Sequence, residues 1–152
     1  MAEVAFTSTL STQHRDEVER LLFFNGNQAK VAGSVGFVTQ RYGMPKIRLD
    51  GERLRVGLDP HAPQTLYAVE REDDEEHPIG VVVYVREDDA LVALFVAIDE
   101  SYSSRGEHAA YGLLRRLVAE LQAVAQRVRG LTSIAVYFGR PTPTRIKLAR
   151  AR

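Results

Sequence analysis

The stretch "SSRGEHAAYGLLRRLV", Ser103 to Val118, holds residue types that can cradle an anion. Small residues stand at Gly106, Ala109 and Ala110, a cation stands at Arg105, and an apolar helical pattern follows. At a helix start several backbone N–H groups lack intrahelical partners and the helix dipole adds partial positive charge, so phosphate is attracted there. Pyrophosphate also needs small neighbours, because a side chain at the wrong place fills the volume that it requires. Glu107 opposes an anion, whereas the His108 imidazole either crowds a phosphate or, when protonated, pairs with it. The same residues also suit a plain helix start, and the local sequence leaves both readings open.

Such a turn needs a strand before it and a helix after it. "ALVALFVAI", Ala90 to Ile98, is almost wholly apolar, as expected of a central strand covered on both faces. Beyond the turn, Ala110, Leu113, Leu114, Leu117, Leu121, Val124, Ala125 and Val128 form one helical stripe that ends at Gly130. "SIAVYFG", Ser133 to Gly139, then reads as a strand. Strand, turn, long helix and strand make a crossover whose two strands are parallel.

Upstream, Ser11 and Thr12 offer capping hydroxyls, and Val18, Leu21 and Leu22 share a face, so residues 12 to 24 read as a helix. "QAKVAGSVGFVTQRYG", 28 to 43, has helical spacing weakened by Gly33 and Gly36. In "KIRLDGERLRV", Asp50-Gly51 between alternating segments predicts a hairpin with a type I′ turn. "TLYAVERE" and "IGVVVYVRE" precede the apolar strand, and the short charged links between them favour an antiparallel meander over residues 46 to 98. One α/β domain with a mixed, mostly antiparallel sheet is the economical architecture.

The chain has 152 residues, 45% hydrophobic and 26% charged, with a formal net charge of zero, which is ordinary for one globular domain. With no cysteine it has no thiolate metal site or disulfide, and His14, His61, His77 and His108 are too scattered for a short metal motif. No metal is expected. No apolar run approaches the ~20 residues that span a bilayer, and the N-terminus lacks a signal peptide's basic start and cleavage site, so a cytoplasmic protein is expected. The acidic run "EREDDEE", Glu70 to Glu76, reads as a solvated hairpin tip and residues 140 to 152 as a basic tail.

The order of helices, meander, apolar strand, turn, long helix and strand resembles the GNAT superfamily of acyl-CoA N-acyltransferases. These carry a Q/R-x-x-G-x-G/A turn before the long helix. "RGEHAAYGLL" fits that register, with Arg105 first, His108 at the middle glycine, Ala110 at the last small residue, and Leu113 and Leu114 as the leucine pair. The resemblance implies that acetyl-CoA or another acyl-CoA lies with its pyrophosphate on Arg105, Gly106, His108, Ala109, Ala110 and Tyr111, and its pantetheine arm along the backbone of Val96, Ala97 and Ile98. It further implies a splayed gap between the fourth and fifth strands of the family sheet, and transfer of the acyl group to a small-molecule or protein amine. Glu70 is a candidate base acting through water, and Tyr137 a candidate acid for the leaving thiolate. "PTRIKLARAR" resembles the family's last helix, and the strands that should follow it are missing.

A competing reading is a non-catalytic module of the same fold, forming a homodimer across the open sheet edge that the missing strands would leave. A third, nucleic-acid binding through Arg140, Arg145, Lys147, Arg150 and Arg152, lacks the interleaved aromatics of a single-strand binder.

Overall fold

A computed structural model of the chain describes residues 3–23, 39–43, 45–58, 63–137 and 142–149. Strand β1 (Glu3–Thr7) leads into a 3₁₀ turn (Thr12–His14) and helix α1 (Arg15–Phe23). The Ser11 hydroxyl accepts from the Gln13 N–H and so caps this start, as its residue type predicts. Val18, Leu21 and Leu22 of α1 are buried. Of the weaker helix expected over 28 to 43, residues 39–42 are helical and 24–38 lie outside the described residues.

Strands β2 (Lys46–Asp50) and β3 (Arg53–Gly57) form the expected hairpin, with two corrections. Asp50 pairs with Arg53, so the loop is Gly51-Glu52, and only Gly51 has positive φ, at 63°. A type I′ turn needs positive φ at both loop positions, so this turn follows the II′ pattern instead. The hairpin is also a sheet of its own and not part of the meander. Only Leu54 and Val56 of β3 are buried, while β2 is mostly exposed and does not fit between two covered strands.

The meander is β4 (Gln64–Glu72), β5 (Glu75–Glu87) and β6 (Ala90–Ile98), joined by antiparallel pairing. Its acidic tip is a tight turn in which Asp73 and Asp74 both have positive φ, at 50° and 66°. Pro78 sits where β5 bulges at Ile79, since Val69 faces Pro78 and Ala68 faces Gly80. A proline's missing N–H costs least at such a break in the ladder.

After two 3₁₀ turns (Glu100–Tyr102 and Ala109–Tyr111), helix α2 (Leu113–Gln126) crosses back to β7 (Ser133–Val136), which is parallel to β6 as the crossover requires. The core stripe of α2 is narrower than expected: Leu113, Leu117, Leu121 and Ala125 are buried, whereas Leu114 and Val128 are exposed. Ala110 lies before the helix, because Gly112 takes a left-handed φ of 68° and restarts the chain direction there.

The basic tail is not the helix that its sequence suggested. Thr144–Lys147 form β8, antiparallel to β7, so one strand does follow β7. β-branched Thr144 and Ile146 alternate with Arg145 and Lys147 at the strand period, and Ile146 and Leu148 pack on the α2 side of the sheet. Among the described residues the order is β1-β4-β5-β6-β7-β8, a mixed, mostly antiparallel six-stranded sheet. One face carries α1, the hairpin and Tyr42; the other carries α2 and Tyr102, which explains why β6 is apolar throughout.

Candidate functional site

The candidate site lies at the C-terminal end of β6. Phe95 faces Val83 and Ala93 faces Tyr84, so Leu94 is an extra residue that bulges β6. Pairing with β7 runs from Ala90 with Ser133 to Ala93 with Val136, and the Tyr137 N–H still reaches the Ala93 carbonyl at 3.3 Å. Past Ala93, β7 and β6 are not paired among the described residues.

What β6 offers there follows from the ladder. The Asp99 N–H donates to the Ile79 carbonyl at 2.7 Å, so Ala97 and Phe95 exchange their bonds with β5. Val96 therefore turns its N–H and C=O the other way, toward the β7 side of the strand, and they have no partner among the described residues. Val96, Ala97 and Ile98 are all half-buried.

The turn itself is built mostly from its own hydrogen bonds. Asp99 Oδ1 accepts from the Ser101 N–H at 2.9 Å and the Ser101 hydroxyl at 3.1 Å, capping the first 3₁₀ turn. The N–H groups of Gly106, His108, Ala109, Tyr111 and Gly112 donate to the carbonyls of Ser103, Ser101, Gly106, His108 and Ala109. A Cβ on Gly106 would stand 2.3 Å from the carbonyl oxygens of both Glu100 and Ser101. Its smallness therefore admits the chain's own backbone, and this part of the expected phosphate cradle is already filled. Arg105 and Ala110 remain exposed on the turn.

His108 folds back on the turn: its ring lies 4.8 Å from that of Tyr102 at 34°, and its Nε2 lies 3.5 Å from Glu107 Oε1. Tyr111 meets Tyr102 edge-on at 5.9 Å, and the Arg116 guanidinium stacks 4.3 Å from the Tyr111 ring while its Nε donates to the Tyr111 carbonyl. These contacts lock the turn to the start of α2.

Tyr102 is buried, and its hydroxyl donates to the carboxylate of Glu70 on β4. Burial raises the Tyr102 pKa, and the hydrogen bond and charge of Glu70 raise it further. The phenol is thus held neutral and serves as a donor. Residue identity alone gave no sign of this link, because its partners are 32 positions apart.

Glu70 and Tyr137 are not brought together. Even-numbered residues of β4 such as Ala68 face the α2 side, where Glu70 meets Tyr102, whereas Tyr137 packs in the cluster on the α1 side. A base and an acid acting on one substrate from these two positions would have to work through the sheet.

Among the described residues no group of His, Asp and Glu is arranged to hold a metal ion, and no helix is long and apolar enough to cross a membrane. No family model, no curated protein and no solved structure matches the chain.

Proposed function

We propose that the chain binds an acyl-CoA thioester and transfers its acetyl or other acyl group to an amine, in the manner of the GNAT acyltransferases that its sequence resembles. The observation that carries this reading is the Leu94 bulge of β6, beyond which the N–H and C=O of Val96 point away from β5 and have no partner among the described residues. An extended arm containing amides can pair with such groups as an added strand would. At the start of α2, Leu113, Leu114 and Arg115 precede the first intrahelical donor, Arg116, and supply the main-chain charge for a phosphate.

In this reading an ammonium acceptor must lose a proton before its nitrogen attacks the thioester carbon, and the thiolate leaves with the electron pair of the broken C–S bond. Glu70 acts on the acceptor proton through water, with the Tyr102 hydroxyl fixing its carboxylate. Tyr102 itself, with its pKa raised, is poorly matched to protonating a thiolate.

A second reading is favoured by the filled space at Gly106 and the internally used amides of the turn: a non-catalytic module of the same fold. Thermal melting with acetyl-CoA and longer acyl-CoAs separates the two. Acyl-CoA at ~100 times its dissociation constant should add about 2.7 kcal/mol of stability. Stabilisation together with thiol release on adding amines supports the transferase. No shift with any acyl-CoA would leave only the second reading.

A further inference from the structure

Among the described residues the six-stranded sheet ends at β1 on one side and at β8 on the other, and the two edges offer different things to a second chain. Unpaired N–H and C=O groups on an edge are a template for another strand unless charge, proline or a bulge blocks them. The ladder identifies those groups. Because Asp99 bonds Ile79, residues 79, 81 and 83 of β5 serve β6, and Gly80 and Val82 turn to β4. Gly80 and Val82 face Ala68 and Leu66, so the alternate residues Tyr67, Val69 and Arg71 of β4 turn to β1. Their partners there are Thr7, Ala5 and Glu3. Val4 and Phe6 are left with their N–H and C=O directed away from the sheet.

At the opposite edge the Leu148 N–H donates to the Thr132 carbonyl at 2.8 Å, so Ile146 and Thr144 bond β7 while Arg145 and Lys147 point their backbone groups outward. Both side chains there are exposed and positive. A two-fold axis normal to the sheet keeps each side chain on its own face. Joining β8 to itself about Ile146 then sets Arg145 against Lys147 of the second copy, and joining it about Arg145 sets that residue against itself. Like charges directly opposite each other are destabilising, so β8 is a protected edge.

We infer that the chain forms a homodimer by antiparallel pairing of β1 with β1 of a second copy, centred on Ala5, which fuses the two sheets into one. In this register Val4 lies opposite Phe6 of the second copy, and Phe6 opposite its Val4, so the four residues with outward backbone groups bond one another. A β-branched residue beside an aromatic one is a favourable cross-strand pair. Ala5 meets Ala5 without crowding, and Glu3 meets Thr7, so no like charges oppose. The segment "EVAFT" carries one charge and no proline, and Val4 to Thr7 are only half-buried within one copy. Val4 also sits across from Glu70 on β4, so the joint runs beside the Tyr102–Glu70 contact. The inference stands apart from acyl transfer and holds for a catalytic or a non-catalytic chain.

Sedimentation equilibrium or light scattering over a dilution series reads the dimer directly. Phe6→Pro removes an outward donor without removing a bond to β4, and should shift the protein to monomer. Thr7→Lys sets a cation opposite Glu3 of the second copy and should tighten the dimer, whereas Thr7→Glu should loosen it, each by roughly threefold to tenfold in dissociation constant. The Thr7 pair keeps the test decisive if the proline variant does not fold. A wild-type chain that stays monomeric at the highest concentration it tolerates would overturn the inference. So would a dimer whose affinity ignores all three variants, or moves the same way for lysine and glutamate.

Discussion

The hydroxyl of Tyr102 donates to the carboxylate of Glu70, tying the segment after β6 to β4, two strands away in the sheet. Tyr102→Phe keeps the ring and its contacts with His108 and Tyr111 but leaves the half-buried carboxylate without this donor. Hydrogen bonds to charged groups contribute about 1.5–3 kcal/mol, and water reaching Glu70 places the expected loss near the lower end, at about 1–2 kcal/mol. Glu70→Gln keeps an acceptor oxygen and should lose less. Urea denaturation measures both, and an unchanged midpoint for Tyr102→Phe would show that the contact does not hold the turn.

Gly106 and Gly112 test what the turn is built around. At Gly106 a methyl group meets two backbone oxygens at 2.3 Å, which only a main-chain shift can relieve. Gly106→Ala should therefore cost about 1–3 kcal/mol, the range for overpacking a tight site. Nothing lies within 4 Å of a Cβ on Gly112, but its φ of 68° is left-handed, so Gly112→Ala should cost about 1 kcal/mol from backbone strain alone. Both losses should appear in denaturation without any ligand. A Gly106→Ala chain as stable as wild type would mean that the space is free, and would return it to the phosphate reading.

The same glycine shows where sequence reasoning stops. A missing Cβ makes room equally for a phosphate or for the chain's own carbonyls, and "RGEHAAYG" does not say which. Strand alternation and apolar continuity located β4, β5 and β6, and the helical period located α2, because each pattern reports a face that packing must cover. Strand β1 carries little signal in the sequence, because it is only five residues long, with three apolar side chains in a row and no bounding turn. β8 is not legible in the sequence, because Arg145, Ile146, Lys147 and Leu148 suit a basic helix as readily as an edge strand. Contact of Ile146 and Leu148 with the α2 side decides it, which is tertiary information. The opposite faces taken by Glu70 and Tyr137 depend likewise on register, and residue types alone do not record that.

A pH-dependent link joins α1 to the meander. Glu17 holds His77 through Oε2 at 3.1 Å and buried His14 through Oε1 at 3.0 Å, and the other nitrogen of His77 lies 3.4 Å from Glu75. The hydrogen bond to Glu17 raises the His77 pKa above its ordinary 6.5, and the bond to Glu75 adds to this. A histidine whose folded pKa exceeds its unfolded value stabilises the fold fully below the unfolded pKa and loses that contribution as pH rises through the folded one. The wild type should therefore lose a small, salt-sensitive increment of stability above pH about 6.5, and His77→Gln should lack that step. The increment is small because the His77 side chain is 54% exposed, so water and salt screen the pair. NMR titration of the imidazole protons gives the direct reading. Glu17→Gln should bring the His77 pKa back toward its ordinary value, and a His77 titration that this variant leaves unmoved would show that α1 and β5 are not joined there.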